Sequence, residues 1–195
     1  MSHRYTHTED MEVATAAALA GARVVREMYG RRLTRIDKGG GDFATGADVA
    51  AERAILDVIR SARPDDAVLG EEGGQLGADG SARQWLVDPL CGTRNYAVGT
   101  MLVAVNVALS GGAAAVADPF SGELFRTDGE SPAYVSDGAD LSGDLHFAAG
   151  IALCRAAGCV VTGVDGVPVG QGGRGLVAAA DDETHRLLMA LVAHA

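Results

Sequence analysis

The stretch Trp85-Leu-Val-Asp-Pro-Leu-Cys-Gly-Thr-Arg-Asn95 constrains this chain more than any other. Its apolar run, Trp85 to Val87, has the character of a buried strand and ends on a carboxylate at a proline, Asp88-Pro89. A Gly-Thr pair, Gly92 and Thr93, follows where a helix can open. A carboxylate at a strand end is a hard oxygen ligand for a metal, and the N–H groups of a helix start favour an anion. Side by side, they make the local chemistry of a phosphate site. Cys91 is the exception, a thiol where a second oxygen-donating ligand is expected.

Charge narrows the partners. The 195 residues carry 26 acidic against 16 basic side chains, a net charge of −10, with the arginines scattered rather than clustered. No nucleic-acid footprint is expected. No apolar run approaches a membrane span, and Met1-Ser-His-Arg-Tyr lacks the apolar segment of a signal peptide, so a cytoplasmic location without membrane contact is expected. With 48% hydrophobic residues, the chain can bury about 70% of its unfolded surface. We read it as one unit over residues 1–195, an N-terminal α+β half at 1–110 and a shortened C-terminal α/β half at 111–195. Cys91, Cys154 and Cys159 show no paired spacing and are expected to be reduced, the latter two in the core.

Apolar residues three or four apart from Met11 to Met28 predict a helix from Glu9 to about Gly30. Lys38, the only lysine, opens Lys38-Gly-Gly-Gly-Asp-Phe-Ala-Thr-Gly-Ala-Asp48, expected to be a mobile loop over a substrate. Asp48 reads equally as a helix cap or as a catalytic group. The helix over about 47–62 is expected to turn Val49, Ile55, Leu56 and Ile59 inward and Glu52, Arg53 and Asp57 outward. A short strand, Ala67 to Gly70, ends in Glu71-Glu72, placed to share a cation with Asp88 if the two strands are neighbours. A loose segment is expected up to Gln84. Strands over 102–109, 113–117 and 122–125 form a small antiparallel meander. Residues 145–157 make a helix with His146 in its first turn, and closing strands over 159–162 and 176–179 precede a last helix capped by Asp181.

Five ordered motifs then add up to a likeness: Asp42-Phe-Ala-Thr-Gly-Ala-Asp48, Gly70-Glu-Glu72, Trp85 to Asn95, Asp118-Pro-Phe-Ser-Gly-Glu-Leu-Phe125, and Phe147 to Gly166. In this order and spacing the chain resembles the inositol monophosphatase family. The resemblance implies an α/β layered sandwich, α-β-α-β-α, that hydrolyses small phosphate monoesters with magnesium. It assigns metal binding to Glu71, Asp88, the carbonyl of Leu90 and position 91, and orientation of the attacking water to Asp48 and Thr93.

The departures matter as much. Position 91 is Cys where the family has Asp, and Leu145-His146 replaces a Trp-Asp pair. Two hard ligands are gone, so magnesium is expected to bind weakly and no cofactor to be required. Ser142-Gly-Asp144 also jumps across a block of two strands and a helix that belongs to the family's second sheet. The shortened sheet predicts a partner protein chain filling that gap. The expected substrate is a small phosphate or sulfate ester, bound by Lys38, Gly92, Thr93, Arg94 and His146. The favoured chemistry uses Asp48 or Glu71 as general base and the ester as leaving group, giving elimination or cyclisation with C–O cleavage. The alternatives are metal-dependent hydrolysis and a non-catalytic subunit of a heteromeric enzyme. Cys91 is either a reactive thiolate or a small apolar filler.

Overall fold

The computed structural model describes residues 6–77, 81–130, 148–169 and 176–192. Helix α1 (His7–Met28) enters through a capping box in which Thr6 Oγ1 accepts the Glu9 N–H and the Glu9 carboxylate accepts the Thr6 N–H. Its alanine face, Ala14, Ala17, Ala18 and Ala22, is buried and allows close packing against α2 (Gly46–Ala62). Between the two helices lies a hairpin, β1 (Arg35–Gly39) and β2 (Asp42–Thr45), in place of the expected open loop. Gly39, Gly40 and Gly41 take φ of 87°, 61° and 85°. Three successive left-handed positions suit glycine alone, so the triple glycine encodes a turn.

The main sheet has six strands: β3 (Ala67–Gly70), β4 (Gly74–Leu76), β5 (Gln84–Cys91), β6 (Ala104–Leu109), β7 (Ala114–Ala117) and β8 (Leu124–Thr127). They lie in the order β4-β3-β5-β6-β7-β8. Only β3 and β5 pair in parallel. The expected meander is therefore half of the same sheet, and the segment expected to be loose supplies an edge strand. Central β5 is buried on both faces: Trp85 and Val87 join α1 and α2 in one core, while Leu86 joins Ala108, Ala114, Ala149, Ile151 and Ala152 in a second. Helix α4 (Ala148–Ala156) covers that second face, followed by the two-stranded sheet β9 (Val160–Thr162) and β10 (Val177–Ala179) and by α5 (Asp182–Val192) packed on β10. Asp181 caps α5 as expected, accepting the Thr184 N–H at 2.7 Å. Helices, sheet, helix, small sheet and helix follow one another as a layered α/β fold. Ser142 to Asp144 and His146 lie outside the described residues.

Helix α2 turns Ile55, Leu56 and Ile59 inward and Arg53 and Asp57 outward as expected, but Val49 and Glu52 have exchanged places. Val49 is 41% exposed and Glu52 only 4%. The buried stripe is Ala47, Asp48, Ala51, Glu52, Ile55, Leu56 and Ile59, a clean helical period that includes two carboxylates. Hydropathy alone assigns such acids to solvent, whereas here each is buried against hydrogen-bond donors.

Candidate functional site

Strands β3 and β5 run side by side with Gly70 opposite Val87. Glu71, the first residue after β3, and Asp88, still paired within β5, therefore sit side by side at one edge, and the Glu71 N–H donates to the Val87 carbonyl at 3.1 Å. Asp88 is fully buried. Strand β5 does not stop at the proline as expected but runs on to Cys91, slipping register between Asp88, opposite Asn106, and Cys91, opposite Ala104. A proline has no N–H for a central ladder, and a bulge is where it can be tolerated. The Leu90 N–H folds back on Asp88 Oδ1 at 3.2 Å.

Asp48 enters from the first turn of α2. Its Oδ2 accepts the Thr45 N–H at 2.7 Å and the Thr45 hydroxyl at 2.6 Å, while Oδ1 accepts the Thr93 hydroxyl at 2.7 Å from 45 residues away. The cap and the site are thus one residue: one oxygen closes the helix entry and the other grips the segment after β5. Thr93 Oγ1 also lies 3.1 Å from the Leu90 carbonyl oxygen. Its single proton serves the shorter, charge-assisted bond to Asp48, and the Thr93 oxygen keeps lone pairs that can accept a proton.

Lys38, expected to meet a substrate, sits on β1 with Nζ 3.0 Å from Glu71 Oε1 and 2.8 Å from Glu72 Oε1. Burial alone would lower the ammonium's pKa, but the hydrogen bonds with Glu72 and Glu71 outweigh it and hold Lys38 above the usual lysine range. Glu72 is shifted upward, because its burial outweighs the lysine's pull. Arg94 donates from Nη2 to the Gly41 carbonyl at 2.9 Å, tying the hairpin turn to α3 (Thr93–Ala97). The helix start expected at Gly92 and Thr93 is present, but this helix is only 5 residues long. Gly92 has its own structural reason: φ is 96°, and a Cβ there would meet the Leu102 carbonyl oxygen at 2.9 Å.

Cys91 is neither exposed nor acidic. Its thiol makes hydrogen bonds with Asp88 and Asn106, and burial, then the Asp88 charge, pushes its pKa up to about 11. Desolvation beside a carboxylate disfavours a second negative charge, which favours the filler reading over a reactive thiolate. Cys91 and Asn106 border an apolar cavity of about 260 Å³ completed by α4, β9 and β10 residues such as Ile151, Val161 and Ala178. Cys154 and Cys159, expected in the core, are partly buried and pack against the second one.

Among the described residues no three His, Cys, Asp or Glu side chains form a metal-holding group. Glu71, Asp88 and the Leu90 carbonyl supply hard oxygen donors, the ligand type a divalent cation takes. Glu52, which sequence reasoning turned outward, proves to be part of the same edge: its carboxylate accepts the N–H groups of Glu72 at 2.8 Å and Gly73 at 2.7 Å. Gly70 and Gly73, flanking the acid pair, were the available signal.

Residues 7–144 match the profile of the inositol monophosphatase family. The chain belongs to this family. It is 36% identical over 121 residues to the Nus factor SuhB of Haemophilus influenzae, covering 59% of this chain and 45% of that protein. It is 43% identical over 101 residues to a fructose-1,6-bisphosphatase/inositol-1-monophosphatase of Aquifex aeolicus, covering 51% of this chain and 38% of that one. An inositol-1-monophosphatase of Synechocystis is 38% identical over 121 residues, covering 60% and 42%. The chain thus spans less than half the length of these three relatives. The crystal structure of extragenic suppressor protein suhB from Bartonella henselae superposes with a TM-score of 0.83 at 22% identity, covering 94% of this chain and 98% of that one, which shows the inositol monophosphatase fold. No helix among the described residues is long and apolar enough to cross a membrane.

Proposed function

We propose that the chain hydrolyses a small phosphate monoester by attack of water on phosphorus, with one hard divalent cation, magnesium by its chemistry, in place of a pair. The observation that carries this reading is the hydrogen-bond chain Thr45–Asp48–Thr93, which holds a buried carboxylate against a threonine hydroxyl beside the acid edge. A water that donates to Thr93 Oγ1 is oriented by that bond. As its oxygen bonds to phosphorus, its proton passes to Thr93 and the Thr93 proton to Asp48, while the bond from phosphorus to the ester oxygen breaks and the departing alkoxide takes a proton from solvent. Glu71, Asp88 and the Leu90 carbonyl would hold the cation, which when bound supplies charge stabilisation to the ester oxygens. The relatives named above give no support to elimination or cyclisation, the chemistry expected from the altered ligands.

A second reading, a non-catalytic subunit, is favoured by one observation: Lys38 already pairs with both Glu71 and Glu72, and the Cys91 thiol is already engaged with Asp88. The partner chain expected beside Ser142 to Asp144 remains part of this proposal. Its support lies on the described surface, where Val98, Leu102 and Leu191 are 76%, 77% and 71% exposed.

The test is phosphate release from a panel of phosphate monoesters in oxygen-18 water, with magnesium or with a chelator. We expect magnesium-dependent release carrying the label, reduced about 100-fold or more in Thr93→Val with the fold retained. Unlabelled phosphate would restore the leaving-group reading, and release from no ester would favour the non-catalytic subunit.

A further inference from the structure

We infer that Glu52, which lies outside the ligand set above, is a positioning residue that fixes the acid pair Glu71-Glu72 from beneath. The inference rests on the cation reading of that edge, and it begins from a carboxylate that hydropathy places in solvent. Glu52 is 4% exposed. An ionised carboxylate that leaves water must recover its hydration from fixed donors. Glu52 does so with both oxygens: Oε2 accepts the Glu72 N–H at 2.8 Å and Oε1 accepts the Gly73 N–H at 2.7 Å. Two oxygens on two successive N–H groups fix the plane of the turn as well as its distance from α2.

The glycines on either side make room for this contact. A Cβ on Gly70 would lie 2.6 Å from Glu52 Oε2, and one on Gly73 would lie 2.8 Å from Oε1. Neither glycine has positive φ. They are glycine because the carboxylate fills the space a side chain would need. With its N–H groups turned down onto α2, the turn lets the Glu71 and Glu72 carboxylates meet at one ammonium, 3.0 and 2.8 Å from Lys38 Nζ.

One helix therefore governs both halves of the site. Asp48 and Glu52 are four residues apart on the buried face of α2, one gripping Thr93 after β5 and the other the turn after β3. Their separation is one helical turn. The distance between the water-orienting hydroxyl and the acid pair is thereby set by helix geometry rather than by loop conformation.

The test is a manganese titration of the full chain, followed by electron paramagnetic resonance, with amide NMR of Glu72 and Gly73. Glu52→Gln keeps the shape but turns an amide N–H toward one of the two backbone donors. It is expected to weaken manganese binding about ten-fold and to shift both amide protons upfield with faster exchange. Gly70→Ala, whose Cβ enters the carboxylate's space, is expected to do the same, and the double variant to lose no more than the weaker-binding single. Asp10→Asn, which disturbs a buried ion pair bonded to Arg63 and Arg83, lowers the melting temperature and leaves manganese affinity within about two-fold if Glu52 acts by positioning. Unchanged manganese affinity in Glu52→Gln overturns the inference. Amide shifts in Glu52→Gln with no manganese binding by the wild type overturn the cation reading and leave the anchored turn standing. Amides that do not move overturn the anchor itself. If Glu52→Gln does not fold, Gly73→Ala, which meets Oε1 at 2.8 Å, carries the same titration.

Discussion

Burial and the Asp88 carboxylate raise the Cys91 pKa from 9.0 to about 11, so the thiol keeps its proton well into the alkaline range. The unfolded chain ionises this thiol first, so the group's contribution to stability is complete below about pH 9 and is lost as pH rises through about 11. The denaturation midpoint of the wild type is expected to fall across that window more steeply than that of Cys91→Ala, measured by urea titration at each pH. Cys91→Asp has the opposite use. It puts a second carboxylate beside Asp88, and we expect a lower melting temperature without magnesium together with about ten-fold tighter magnesium binding by calorimetry. A ten-fold gain would show that residue 91, rather than the rest of the edge, limits the site.

At the scale of elements, α1, α2 and β5 are joined by charge as well as by packing. Asp10 Oδ1 on α1 bonds Arg63 Nε at the end of α2 at 2.9 Å and Arg83 Nη2 before β5 at 2.9 Å. Arg83 also reaches both oxygens of Asp66, of which Oδ2 accepts the Trp85 indole N–H at 2.8 Å as well. Asp10 is 2% exposed and Arg63 6%, so removing one partner strands a buried charge. Asp10→Ala is expected to cost about 3 kcal/mol in denaturant unfolding, with the slope unchanged. The acids Asp65-Asp66 after Pro64 were legible only as a turn, since Arg83, which engages Asp66, comes from 17 residues further along the chain.

The centre of the main sheet is buried on both faces, yet apolar side chains lie outside. Leu187 and Leu191 on α5 are 63% and 71% exposed, and Val98, Met101 and Leu102 form an exposed run after α3. If a partner covers them, light scattering coupled to size exclusion gives a mass above the monomer's 19.9 kDa, and Leu187→Glu/Leu191→Glu lowers that mass without changing the circular dichroism. A monodisperse monomer counts against the partner proposal.

How much was legible follows from the range of each interaction. The amino-acid order by itself placed the two long helices, expected over 9–30 and 47–62 and found over 7–28 and 46–62, the strand ending at Gly70, the start of the strand at Trp85, and the motifs from Asp48 to Asn95, because helical and strand periods and turn glycines act over a few residues. Tertiary structure decided which charges meet. Lys38 faces Glu71 and Glu72, Glu52 turns inward, Asp48 caps a helix and grips Thr93, and Cys91 is held neutral. Each of these depends on partners from 20 to 45 residues away or on the depth of burial. A buried carboxylate is stable only where donors converge on it, and that convergence exists only after the strands have paired.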